Sequence, residues 1–256
     1  MLGLFVFCFF YYCLGGIAVE LGYHRCLTHK AFKLKNWFEY SIIFLGLPAG
    51  TPIQWVGTHR KHHAFADLIN DPHSPIIHGF WFAHNGWYIN TKNPILCLLY
   101  ALAGPMRFLI DAWNRPISNQ QYNQHASDIS EIPFYAFISK TSNYRISMLF
   151  HLLVPFGIAF YVWGLAGFVS LWITLTIIYN LGDGVNSMAH QNTASSTTVN
   201  SQFWAIVTFG VALHESHHKN PNLANLAETK TPVDVGWVII RTLKLFNLAT
   251  DIQTVK

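Results

Sequence analysis

Three histidine clusters dominate the chemistry available to this chain: His24-x4-His29, His59-Arg60-Lys61-His62-His63 and His214-Glu215-Ser216-His217-His218, with His190 between the last two. On an α-helix, at about 100° per residue, positions 59, 62 and 63 share a face while 62 and 63 diverge enough to reach two different metal ions. The 214–218 cluster repeats the spacing. On the same geometry His24 and His29 point about 140° apart, so they serve different ions or lie where a helix ends. The bland alternative for one such cluster is a basic, solvated helix turn. The third also reads His214-Glu215-x-x-His218, the HExxH pattern of zinc proteases, but that reading leaves the other clustered histidines idle.

The elements that must position these side chains belong in a bilayer. Charged residues make up 11% of 256, aromatics 16% and apolar residues 52%, where about 25% charged is usual for soluble domains. The net charge of +4 comes from lysines and arginines beside apolar runs, which speaks for membrane orientation, not nucleic-acid binding. Cys8, Cys13, Cys26 and Cys97 show no CxxC pairing, so neither a disulfide framework nor a thiolate site is expected.

Leu2 to Leu21 is long enough to cross the roughly 30 Å hydrocarbon core. Arg25, Lys30, Lys33 and Lys35 follow it, placing the first histidines on the cytoplasmic side. Trp37 to Val56 is broken by Gly46, Pro48, Gly50 and Pro52; as an interfacial or re-entrant helix it returns the second cluster to the same side. Pro94 to Trp113 is interrupted by Gly104-Pro105 and Arg107, so a membrane-lying helix is expected there. Asn114 to Ser142 reads as a cytoplasmic segment, and Ile146–Trp163 with Leu165–Leu181 as a transmembrane hairpin turning at Gly164. Ser195 to Asn200 is a polar loop, and Gly236 to Leu248 an amphipathic cap.

This topology gathers His24, His29, His59, His62, His63, His190, His214, His217 and His218 on one face. Nine imidazoles exceed any single-ion site, whereas two ions taking four or five each would use them. Two irons are favoured, since zinc and copper sites rarely need so many imidazoles.

Taken in order, several motifs carry a resemblance. They are Gly22-Tyr23-His24-Arg25-x-Leu27-Thr28-His29, Trp55-x-x-Thr58-His59-Arg60-x-His62-His63 and Asp71-Pro72-His73-Ser74-Pro75. Gly79-Phe80-Trp81-Phe82-x-His84-x-Gly86-Trp87, Asn186-Ser187-x-x-His190 and His214-x-x-His217-His218 follow. The set closely resembles the membrane fatty acyl desaturases, especially bacterial acyl-CoA desaturases of the stearoyl-CoA, delta-9 type. The resemblance implies an all-α integral membrane protein, a single domain over 1–256, with transmembrane and interfacial helices and a cytoplasmic helical cap. It implies two irons on the cytoplasmic face, held by the nine histidines and by Asn186 through water. O2 and two electrons from a separate donor of cytochrome b5 or ferredoxin type would remove two hydrogens from an acyl chain whose expected carrier is CoA, with a membrane lipid the alternative. Trp55 matches a position that lines the acyl tunnel. A di-iron membrane hydroxylase would share these boxes.

Three departures from the family pattern follow. Only one helix precedes His24, so the family's first span is expected to be absent. Asp183 stands where a large apolar residue is usual, and Glu215 sits inside the last box. Glu215 and Asp67 are expected to orient ligand imidazoles. His73 and His84 are expected to hydrogen-bond rather than ligate, His78 and His125 to lie at the surface, and His151 to be a satisfied core residue.

Overall fold

The computed structural model describes residues 1–190, 198, 200–227 and 233–255; most of the 195–200 polar loop lies outside the described residues. Among the described residues the elements are helices joined by turns and loops, with one two-residue ladder and isolated bridges. Helix α1, Leu2–Ile17, runs without a break into a π-helix, Ala18–Thr28. Together these form an apolar segment of 27 residues, long enough to cross a membrane. The next run divides at Leu47–Ala49 into α2, Asn36–Gly46, and α3, Pro52–Phe65. Gly50 supplies the positive φ of 139° that reverses the chain there. The Thr51 side chain caps α3 by accepting from the Gln54 amide.

Helix α4, Pro94–Leu102, and the run Met106–His125 that opens with α5, Met106–Asn114, meet at 120° around Gly104. The expected membrane-lying helix over Pro94 to Trp113 is thus two helices, with the bend at the Gly104-Pro105 interruption. The hairpin follows as 141–163 (α6) and 165–188 (α7), separated by the non-helical Gly164, φ 60°. A Cβ on Gly3 would touch Trp163 and one on Gly15 would touch Ile178. Helix α1 therefore runs alongside α7 in the same direction, and both lead to histidines. Their outward faces carry exposed apolar side chains, Phe5 and Phe9 on α1, Ile146 and Leu153 on α6, Ile173 and Ile177 on α7. Apolar surface on this scale, on helices of this length, fits lipid and not water.

A C-terminal cap closes the other side. Helix α8, Val235–Leu245, is capped by Asp234, which accepts from the Trp237 amide, and buries Ile240 against Ala18, Leu21 and Ile42. Strand Lys33–Leu34 pairs antiparallel with Ala249–Thr250, with Lys33 opposite Thr250. The purely α-helical expectation is corrected to this extent: a loop lying under a cap has backbone groups to satisfy, and two ladder residues satisfy them.

Candidate metal centre

The nine histidines converge as two adjacent sets. His24, His29, His59 and His217 form one, and His62, His190, His214 and His218 the other. His63 joins the first, its Nε2 lying 3.2 Å from that of His59 and 2.9 Å from that of His217. The divergence of neighbours 62 and 63 on one helix is what sends them to different sets.

His24 and His29, by contrast, meet in the same set. The 140° divergence assumed an α-helix, whereas 18–28 is a π-helix with i→i+5 closure. A five-residue separation there is close to one turn, and His29 sits at the helix end as its C-cap. The same winding stacks Glu20 under both His24 and Arg25. The Glu20 carboxylate accepts from His24 Nδ1 at 2.6 Å and from Arg25 Nε at 2.6 Å. Arg25 in turn forks onto Asp234 at 2.8 and 2.9 Å, which ties the first ligand helix to the start of α8.

Two more carboxylates orient the second set. Asp71 accepts from His62 Nδ1 at 2.9 Å and is itself fixed by the backbone amides of Asp67, 2.8 Å, and His73, 3.0 Å. Asp67 accepts from His190 Nδ1 at 2.8 Å and from Ser74 Oγ at 2.6 Å. Its φ of 59° is a left-handed conformation that aspartate tolerates better than most residues. An imidazole that donates through Nδ1 presents a bare lone pair at Nε2. Lone pairs aimed at one another repel unless a cation lies between them.

The spacing fits such a cation. Metal–imidazole bonds of about 2.1 Å place neighbouring nitrogens about 3.0 Å apart at right angles and about 3.4 Å apart in a tetrahedron. The Nε2 separations are 3.0 Å for His24–His217 and 3.1 Å for His29–His59. In the second set they are 2.8 Å for His190–His214, 3.1 Å for His214–His218 and 3.3 Å for His62–His218. Right-angled, many-coordinate ions match this better than tetrahedral zinc.

Burial, followed by repulsion from neighbouring imidazoles, holds His29, His59, His62, His214 and His217 well below the ordinary imidazole pKa. The same causes bring His63 to about 2, while burial takes His218 to about 3. These rings are neutral and ready to ligate at physiological pH.

One orienting role expected from the sequence is corrected. Glu215 pairs with Lys219, a turn further on, at 3.0 Å, because their four-residue spacing lies on the outer side of the short helix His214–Lys219. Among the described residues, the Nδ1 atoms of His214 and His217 are buried with no hydrogen-bond partner. The same geometry removes the zinc-protease reading: His214 and His218 sit with two further imidazoles, and the glutamate that would serve as base faces a lysine.

The sequence reading missed Glu20 and Asp71. A lone acid inside an apolar span, four residues before a histidine, is the signal for Glu20. For Asp71 only the Asp-Pro-His run itself pointed there.

An apolar cavity of about 220 Å3 reaches both sets. Leu14, Leu45, Leu175, Ile178 and Phe209 line it, and His24, His59, His214, Trp55 and Asn186 stand in its wall. Trp55 stacks on His59 at 5.1 Å and meets Tyr23 edge-on at 5.6 Å. Of the remaining histidines, His84 bonds Ser187 and Asn180, His151 bonds the Phe44 carbonyl, and His78 bonds the Asp71 carbonyl. His73 stacks on His62 at 4.5 Å, and His125 bonds Gln124 in an exposed turn. The unusual Asp183 pairs with buried Arg107 at 2.7 Å.

Long apolar helices that end in histidine boxes, two imidazole sets that could hold metal and an apolar cavity beside them are the features of the histidine-box membrane enzymes. The fatty acid desaturase family model matches residues 1–226, and the chain belongs to that family. It is 31% identical over 250 residues to the Delta-9 acyl-lipid desaturase 1 of Arabidopsis thaliana, covering 94% of this chain and 72% of that one. It is 33% identical over 256 residues to the Acyl-CoA C20 Delta5-desaturase of Anemone leveillei, covering 96% and 72%. The sn-1 stearoyl-lipid 9-desaturase of Anabaena variabilis is 31% identical over 251 residues, covering 95% and 81%.

Proposed function

We propose that this protein is an integral membrane desaturase of one domain that introduces a cis double bond, at the delta-9 position, into a saturated acyl chain. One acyl CH2–CH2 unit, O2, two electrons and two protons become CH=CH and two waters, the electrons coming from a separate donor of cytochrome b5 or ferredoxin type. His24, His29, His59, His63 and His217 would hold one iron; His62, His190, His214 and His218 would hold the other, with Asn186 reaching it through water. The irons would supply the oxidant that an unactivated methylene requires, since such a C–H bond offers no acidic proton to a side-chain base.

The observation that carries this reading is the apolar cavity with both histidine sets in its wall. The chain's own residues have a positioning task there. Trp55, braced between His59 and Tyr23, forms a rigid face against which an extended chain lies. Glu20, Asp67 and Asp71 hold the imidazoles in one tautomer and orientation. Leu175, Ile178 and Phe209 keep water from the reacting carbons. The basic residues Arg25, Lys30, Lys33 and Lys35 beside the first box support a cytoplasmic metal face.

Expression in a host lacking its own desaturase, with fatty acids mapped by mass spectrometry, tests the proposal. Monounsaturated chains with one double-bond position are expected. Hydroxylated chains, 16 mass units heavier than the saturated ones by addition of one oxygen, would convert the reading to a hydroxylase; saturated chains alone would remove the activity.

A further inference from the structure

One wall of the acyl cavity is not apolar. Arg107, Arg115, Tyr88, Tyr179 and Asp183 line it, outside the histidine sets. Both guanidinium groups are buried, Arg107 at 0% and Arg115 at 3% exposure. Arg107 lies between the rings of Tyr100, 4.2 Å, and Tyr179, 4.1 Å. Arg115 stacks on Tyr88 at 3.7 Å. Stacking satisfies the faces of a guanidinium, but its edges carry the N–H donors. One edge of Arg107 goes to Asp183 at 2.7 Å, while Arg115 makes a loose pair with Asp111 at 3.7 Å and a hydrogen bond to the Tyr88 hydroxyl. Among the described residues, Nε and Nη2 of Arg107 and Nε and Nη1 of Arg115 have no hydrogen-bond partner. Buried donors of this kind are costly to leave unmet, so a ligand with oxygen acceptors belongs beside them.

The position says which part of the substrate that is. A second cavity, about 620 Å3 in volume, shares Tyr88 and Arg115 with the acyl cavity. Tyr88 and Arg115 therefore stand in the wall between an apolar cavity and a polar chamber, which is the place for the carbonyl that joins an acyl chain to its carrier. The chamber is lined by the amides of Asn70, Asn90, Asn114 and Gln121, and its charged residues are Lys61, Asp71 and Arg115. Phosphate-rich carriers are held by clustered arginines and lysines, whereas here one acid offsets one of two bases, and Asp111 lies beside Arg115. Ile69 and Ile117 in the same lining are 78% and 71% exposed, an apolar rim suited to a carrier that arrives from the bilayer.

We infer that Arg115, backed by Arg107, holds the acyl carbonyl where the two cavities adjoin, and that the carrier is a membrane glycerolipid and not CoA. This rests on the desaturase reading above. Arg115 is a positioning residue that fixes the distance from the carbonyl to the carbons nearest the metal sets, and so the position of the double bond.

The test uses iron-loaded full-length protein with ferredoxin, its reductase and NADPH. Distearoylphosphatidylcholine vesicles are compared with stearoyl-CoA at equal acyl concentration. The wild type is expected to desaturate the lipid, and to be raised in melting temperature by stearoyl-lysophosphatidylcholine more than by stearoyl-CoA. Arg115→Met should lower kcat/KM for the lipid by about tenfold or more, mainly through KM, and spread the double bond over neighbouring positions at unchanged iron content. Arg115→Lys, which keeps a donor, should restore the single position. Wild-type preference for stearoyl-CoA, in turnover and in the melting shift, would overturn the carrier assignment alone. A single, unshifted double-bond position with wild-type KM in Arg115→Met would overturn the role of Arg115. No product from either carrier would instead overturn the proposed activity, and this inference with it.

Discussion

Replacing Asp71 by Asn should strip one metal site and spare the other. The two carboxylate oxygens of Asp71 share the His62 Nδ1–H at 2.9 and 3.0 Å. Each also accepts a backbone amide, one oxygen from Asp67 at 2.8 Å and the other from His73 at 3.0 Å. An asparagine in either orientation turns an NH2 toward one of those amides, so a donor faces a donor. One buried hydrogen bond is lost and one amide is left unmet, about 1–3 kcal/mol against the local fold. Loss of the negative charge also makes His62 a weaker ligand, and partners of this kind are worth about 10–100-fold in metal affinity. Of the two imidazole sets His62 belongs to the second, while the first is oriented through Glu20. Iron per chain, measured by mass spectrometry on purified protein under mild chelation, should fall from about two toward one, with desaturation lost. Two tightly held irons and full turnover in Asp71→Asn would refute the reasoning that this carboxylate orients a ligand.

The mirror-image change is Glu20→Gln, which weakens the bonds to His24 and Arg25; the first set should lose its metal under the same chelation while the second keeps its own. Glu215→Ala should retain iron and turnover in those assays, because its carboxylate faces Lys219. Gly182→Leu should raise KM for long acyl chains without loss of iron, since Gly182 lines the cavity and a Cβ there meets nothing within 4 Å. Burial would raise the Asp128 carboxyl, but its bonds to Arg60 and Lys30 outweigh that and bring it to about 2 from 3.8. The folded form therefore binds this proton less readily than the unfolded chain. The stabilisation is present above about pH 4 and fades as pH falls toward 2. Melting temperatures of wild type and Asp128→Asn should converge over that range, by a modest amount because the pair is partly exposed.

Much of the site was legible because its information is local. The spacing of 59, 62 and 63 sets their directions on α3, and Gly164 and the Gly46–Pro52 punctuation mark breaks that the backbone obeys. The pairing of His24 with His29 was not legible, since it depends on a π-helical winding that departs from the α-helical period assumed for the run. The Arg25–Asp234 fork joins residues 209 positions apart, and no periodicity reports such a contact. The polar wall had a similar fate: Arg107 and Asp183 each looked like an anomaly in an apolar run, and only their meeting across the fold explains both.

The proposed chemistry requires that the two imidazole sets hold two irons. Metal analysis of full-length protein purified from iron-replete cells, counted per chain, addresses it directly. Close to two irons and negligible zinc are predicted; one zinc per chain, or a single iron that persists in both Asp71→Asn and Glu20→Gln, would contradict it.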